Sequence, residues 1–227
     1  MTTRRPVKAA RPQLVAVIAS ATDLDVAVAM KRTPDLFELR LDSLSPLTSR
    51  LEKKISRLRA PLIITARDPR EGGTGDLSFE KRSGLLLGFL PRARYIDVEL
   101  RSARKFEFLL AHAQKRKIRR ILSYHNFNST PTSRSLCAKA RTARSLGADI
   151  FKVATRTDTP AAVARLIDFI AHKDINISIS AMGIGKLGAT SRLLLARCGS
   201  VLNYASLGQP NVEGQLPVAL LRSALGR

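Results

Sequence analysis

Apolar, β-rich runs recur along the chain at residues 14–18, 36–41, 62–65, 95–100, 121–124, 150–154, 175–180 and 201–207. Between them lie stretches whose apolar positions repeat with helical spacing, such as 23–31, 81–90, 105–115, 134–146, 159–172 and 191–197. A strand followed by a helix, repeated in this way, predicts a parallel sheet, and the repeat number in a chain of this length predicts a closed (β/α)8 TIM barrel, with a doubly wound open sheet as the alternative. Active sites of such barrels gather at the C-terminal ends of the strands. Polar residues collect there: Glu38, Arg40 and Asp42; Arg67 and the Glu71-Gly72-Gly73 loop; Asp97 and Glu99; Ser123, His125 and Asn126; Lys152 and Arg156; and Ser180.

The run Asp149-Ile150-Phe151-Lys152-Val153-Ala154-Thr155-Arg156 places a lysine inside a β-rich segment. Burial and neighbouring cations disfavour an ammonium, so a lysine so placed is a candidate nucleophile toward carbonyl carbon. The plainer alternative is a lysine that reaches out to solvent from a strand end. His125 ends the preceding β-rich run, and in a barrel it faces the same mouth as Lys152. With Glu71 from the loop after the third run, the set supplies a nucleophile, a base and an orienting carboxylate.

Composition narrows the setting. The 227 residues are 44% hydrophobic, enough for a substantial core, and no run approaches the roughly 20 apolar residues of a membrane span. The N-terminus lacks a secretory apolar segment, so a cytoplasmic protein is expected. Residues 1–11 are polar and basic and are expected to form a poorly ordered tail, with the barrel over residues 12–227. Cys137 and Cys198 have no metal-ligand spacing and are expected to be free thiols; no metal or cofactor is expected. With 39 Lys and Arg against 18 Asp and Glu, the formal charge is +21. That field attracts anions. The cations are scattered, without interleaved aromatics, so nucleic acid is not the expected partner.

Gly183-Ile184-Gly185-Lys186-Leu187-Gly188 matches a dinucleotide-binding pattern, but position 203 is Asn where that fold needs an acidic residue. A glycine loop opening a helix, with Ser191 and Arg192 behind it, fits a small carboxylate better.

Seven segments, in order, make the chain resemble the type I 3-dehydroquinate dehydratase family over nearly its whole length. They are Glu38-Leu39-Arg40-Leu41-Asp42; Ile63-Ile64-Thr65-Ala66-Arg67 with Arg70-Glu71-Gly72-Gly73; Tyr95-Ile96-Asp97-Val98-Glu99-Leu100; Ser123-Tyr124-His125-Asn126-Phe127; Ala148-Asp149-Ile150-Phe151-Lys152-Val153-Ala154; Ala181-Met182-Gly183 through Ser191-Arg192; and Gly214-Gln215. The resemblance implies a dehydratase acting on 3-dehydroquinate through a Lys152 imine, with His125 as general base and acid and Glu71 orienting it. It implies substrate contacts from Glu38, Arg40, Arg67, Arg192, Gln215 and Asn211, and it leaves a homodimer open. Asn126 stands where the family commonly has Asp, and Asn211-Val212-Glu213-Gly214-Gln215 replaces a lid usually reading Ser-Ala-Pro-Gly-Gln. The alternatives are another lysine-imine barrel of the aldolase type, or a basic nucleic-acid-binding barrel without catalysis.

Overall fold

The structure is a computed structural model that describes residues 11–226. All but the last residue of the expected N-terminal tail lie outside the described residues. Eight strands run parallel: β1 Gln13–Ile18, β2 Leu36–Arg40, β3 Leu62–Thr65, β4 Tyr95–Glu99, β5 Arg119–Asn126, β6 Ile150–Arg156, β7 Ser178–Ile184 and β8 Leu202–Ser206. Their order, β7-β6-β5-β4-β3-β2-β1-β8, wraps the sheet so that β7 and β8 meet. The barrel expectation holds, and the open-sheet alternative does not.

The helices are α1 Ala21–Ala29, α2 Leu41–Leu44, α3 Thr48–Ile55, α4 Phe79–Phe89, α5 Glu107–Lys115, α6 Ser133–Ser145, α7 Pro160–Ala171, α8 Gly188–Arg197 and α9 Val218–Ala224. Several start at the residue chemistry that favours starts. Ser20, Ser78, Thr132 and Thr159 each accept a hydrogen bond from the backbone N–H three residues on, satisfying one orphan donor of the first turn. In α7, Pro160 follows its cap at a position whose N–H would be unpaired anyway.

Period-two alternation along the strands divides the core into two shells. Val15, Leu36, Ile63, Tyr95, Ile121, Ile150 and Leu202 point inward and fill the lower barrel. Their neighbours in sequence, among them Phe37, Ile64, Ile96, Leu122 and Phe151, point outward and pack beneath the helices, for example against Leu136, Leu166 and Phe169. Higher in the barrel the inward positions become polar: Glu38, Thr65, Asp97, Ser123, Lys152 and Ser180.

The strand boundaries that depart most from the sequence expectation are those of β7 and β5. The seventh strand begins at Ser178 instead of residue 175, because Lys173–Ile175 forms a short 3-10 turn that Asn176 ends in the left-handed region, with φ of 48°. It then continues to Ile184, so Gly183 lies inside the strand. β5 begins two residues earlier than expected, at Arg119, and extends through Asn126, which puts His125 on regular sheet.

The closing seam depends on serines. Val201 N–H donates to Ile179 O at 2.9 Å, and Ser180 Oγ donates to Leu202 O at 2.7 Å. Ser200 Oγ accepts from Ala181 N–H at 3.0 Å while facing Leu202 O at 3.3 Å. Replacing Ser200→Ala strands the Ala181 N–H in the core. A loss of about 1–3 kcal/mol in urea unfolding at unchanged m-value is the expected result.

Candidate active site

A cavity of about 780 Å³, part of it open to solvent, lies at the C-terminal mouth of the barrel. The nine residues singled out from the sequence (Glu38, Arg40, Arg67, Glu71, His125, Lys152, Arg192, Asn211 and Gln215) all line it. Strand register explains much of this convergence. Lys152 pairs in register with Ser123 and Ser180, and His125 with Ala154, so the imidazole stands one inward step above the lysine.

Lys152 is 4% exposed, at the cavity floor. Its Nζ donates to Glu38 Oε1 at 3.1 Å and Asp97 Oδ2 at 2.9 Å, and lies 4.0 Å from the centre of the Tyr204 ring. Beneath and beside it the charges alternate. Arg67 bonds both oxygens of Asp97, Glu99 Oε1 at 2.9 Å and Ser123 Oγ at 2.7 Å. Arg82, also buried, joins Glu99 to Asp68 and donates to Ala66 O at 2.8 Å. Burial alone would raise the Asp97 carboxyl, but Arg67 and Lys152 outweigh it and hold the group well below the usual carboxylate range.

Glu71 Oε2 accepts the backbone N–H of His125 at 3.0 Å and faces His125 Nδ1 at 3.0 Å. When Glu71 is ionised, this arrangement puts the ring hydrogen on Nδ1 and leaves the Nε2 lone pair free. Burial, then Arg67 and Lys152, push the imidazole well below its ordinary range, so it is neutral at physiological pH. Burial, then Glu99, raise Glu71 from 4.5 to about 7.

Arg192 is buried with no carboxylate beside it. Nη1 donates to Tyr204 O at 3.1 Å, while Nε has no partner among the described residues. Desolvation brings this guanidinium down to about 10. A buried guanidinium without a carboxylate partner is costly unless an anion balances it. By contrast, Arg40 forks onto Asp42 at 3.0 and 2.7 Å and reaches Gly72 O, which ties β2 to the Glu71 loop. Asn211 donates through N and Nδ2 to Gln215 Oε1, so the lid closes upon itself. Asn126 anchors the turn after β5 by accepting from Asn128 and Ser129 N–H, a role that needs a side-chain carbonyl and no charge.

The glycine pattern serves packing. The N–H groups of Gly185, Lys186, Leu187 and Gly188 go to Glu213 O, Asp158 Oδ1, Thr157 O and Gly185 O, so they do not form the anion cradle expected from sequence. A Cβ on Gly188 would meet Gly214 Cα at 2.9 Å, and one on Gly214 would meet Gly188 Cα at 2.6 Å. The lid is seated glycine to glycine on the start of α8.

The sequence reading passed over Tyr204, and it named Asp97 without assigning it a role in the site. Asp97 had a legible signal, since Tyr95, Asp97 and Glu99 share one face of a strand. Tyr204 had none, because its place over Lys152 depends on β8 closing against β1. Among the described residues, no group of three or more His, Cys, Asp or Glu is placed to hold a metal, both thiols are free, and no helix is long and apolar enough to cross a membrane.

Fold and site together define a barrel enzyme with a buried lysine beside a neutral histidine. The model of the type I 3-dehydroquinase family matches residues 14–226. The 3-dehydroquinate dehydratase of Pyrococcus abyssi is 37% identical over 192 residues, covering 84% of this chain and 86% of that one. The enzyme of the same name from Methanothermobacter thermautotrophicus is 33% identical over 194 residues, covering 85% and 84%. The crystal structure of 3-dehydroquinate dehydratase from Geobacillus kaustophilus superposes with a TM-score of 0.84 at 27% identity, covering 95% and 90%. The chain belongs to the type I 3-dehydroquinase family and is a lyase of the dehydratase class.

Two substitutions probe the geometry. Gly214→Ala adds a Cβ against Gly188 at a φ of +81°, so steady-state kinetics should show KM rising about tenfold or more with a smaller change in kcat. Glu71→Gln removes a carboxyl raised from 4.5 to about 7. Below pH 4.5 both folded and unfolded parent hold that proton; as pH rises to 7 the unfolded chain releases it more readily, and the parent loses stability. Denaturant unfolding should therefore find the Gln variant gaining on the parent between pH 5 and 8, by at most about 3 kcal/mol, while activity falls.

Proposed function

We propose that the protein dehydrates 3-dehydroquinate to 3-dehydroshikimate and water through an imine on Lys152. The observation that carries this reading is the Lys152 amine at the floor of a cavity that also holds neutral His125 and the unpaired Arg192. The Arg192 guanidinium receives the substrate carboxylate, which sets the ring with its C3 ketone toward Nζ. The Lys152 ammonium passes one proton to His125 and adds to that carbon as the amine; the imidazolium returns the proton to the carbinolamine hydroxyl, which leaves as water and gives the iminium, which draws electrons from the C2–H bond.

His125 Nε2 then removes the C2 proton to form an enamine. The imidazolium so formed gives the proton to the C1 hydroxyl as the C–O bond breaks, which regenerates the neutral base. Hydrolysis of the product imine restores the lysine. The water released in forming the imine is returned in hydrolysing it, so the balance is loss of one water from substrate. Glu71 holds Nδ1–H and stabilises the imidazolium while it lasts. Glu38 and Asp97 hold Nζ between turnovers, and Asn211 and Gln215 close the cavity over the substrate. Arg40 and Arg67 contribute mainly through the carboxylates they fix. This reading needs no metal or cofactor, and an aldolase-type cleavage has no observation in its favour.

Borohydride added during turnover should freeze the imine as a secondary amine. Intact-mass and peptide-mapping spectrometry are expected to find a substrate-dependent adduct on Lys152, absent from Lys152→Ala. Full activity in that variant would rule the imine out.

A further inference from the structure

The loops that precede the strands form the face of the barrel opposite the cavity, and the topology brings scattered cations together there. Arg32 precedes β2, Arg57 precedes β3, Arg92 and Arg94 flank the entry to β4, and Arg116 and Lys117 precede β5; all are exposed. None of these six side chains pairs with a carboxylate among the described residues. The acids in the same loops are few. Asp35 accepts the Leu14 N–H, Asp149 is engaged by Arg120, and Asp174 lies exposed before β7, away from the six cations in sequence. The carboxylates of the chain are drawn instead to the opposite end, where Glu38, Asp42, Asp68, Glu71, Asp97 and Glu99 are buried in or beside the cavity.

Helix C-termini also point to this face, and cations in a last turn often do no more than complement the helix dipole. That account covers Lys53, Lys54, Lys115, Arg144 and Arg197, which lie in last turns. It covers in part Arg116, which caps α5, and Arg92, which ends a 3-10 turn, but not Arg32, Arg57, Arg94 and Lys117, which lie beyond the helix ends.

We propose that this face docks the phosphodiester backbone of a nucleic-acid duplex. Arginine predominates, and its planar fork suits phosphate oxygens. The large exposed apolar residues Val26, Leu87, Phe108, Leu193, Leu194 and Leu220 all sit on helices, leaving these loops nothing to insert into a bilayer and no ring on which to stack single-stranded bases. Exposed cations on successive loops without aromatics fit a sequence-independent backbone contact. The scattered charges of the sequence argued against such a partner; their assembly on one face is the observation on which this proposal departs from that expectation.

The test uses the full-length protein and labelled duplexes of random sequence, DNA in one arm and RNA in the other, titrated by fluorescence anisotropy at several salt concentrations. It compares the parent with Arg57→Gln/Arg92→Gln/Arg94→Gln/Arg116→Gln, and with Lys81→Gln/Arg104→Gln/Arg134→Gln/Arg141→Gln, which removes the same charge elsewhere. The parent is expected to lose affinity with a log–log salt slope of about −4 or steeper. The first variant should bind at least about tenfold more weakly, with a slope shallower by about 3, and retain dehydratase activity. The second should stay within about threefold of the parent. Equal weakening of both variants would reduce the effect to net charge and overturn the proposal. So would equally tight binding of phosphatidylserine vesicles or polyglutamate.

Discussion

The Lys152 amine is held in place by a buried chain of alternating charges, and much of the barrel's upper interior is arranged to make that chain tolerable. Nζ sits between Glu38 and Asp97; Asp97 is forked by Arg67; Arg67 also holds Glu99; Arg82 joins Glu99 to Asp68. An ion taken from water into a protein interior costs several kcal/mol, which its partners must offset. Here each charge has at least one counter-charge and most have a neutral partner as well, such as Ser123 Oγ for Arg67 and Ala66 O for Arg82. The arrangement is shared, because Lys152, Asp97, Arg67, Glu99 and Arg82 each hold two ionic partners, so removing one member unbalances its neighbours without leaving most of them bare.

Electrostatics extend from this chain to the histidine. Arg67 and Lys152 stand close enough to disfavour an imidazolium, and burial adds to their effect, so His125 rests neutral. The same burial, with Glu99 nearby, raises Glu71. The two shifts run in opposite directions, Glu71 up to about 7 and His125 well below its ordinary range. One oxygen, Glu71 Oε2, fixes both the backbone and the ring of His125. The orientation of the base is therefore coupled to the loop that carries Glu71, and Arg40 anchors that loop through Gly72 O.

Most strands were legible because buried parallel strands are near-continuous apolar runs, and the polar residues that break the pattern near each strand's end marked the cavity. The failures have local causes. The seventh strand was placed too early because Ile175 and Ile177 look β-like, and the tolerance of Asn176 for the left-handed region was outweighed by them. The glycines at 183, 185 and 188 imitated an anion-binding loop, yet their function is clearance. A Cβ at Gly183 would collide with Ser191 Oγ and Thr157 Oγ1, and one at Gly185 with Asp158. Asp68 and Arg82 act as supports beneath the site, and no local pattern separates them from surface polar residues. Their partners are many residues distant and meet only when the barrel closes.

The distribution of charge follows from the same requirement. The site needs cations to receive an anionic substrate, and each buried cation except Arg192 is matched by a carboxylate drawn into the barrel. With 18 acids in the chain against 39 bases, every carboxylate buried at the mouth is one fewer for the surface. Arg192 alone is left without a carboxylate, so the net attraction for a carboxylate is concentrated at a single guanidinium instead of spread over the cavity wall. On the proposed reaction, that gives the substrate one orientation in which both its anionic group and its carbonyl find partners, so that holding the nucleophile and selecting the pose of the substrate become two consequences of one balance of buried charge.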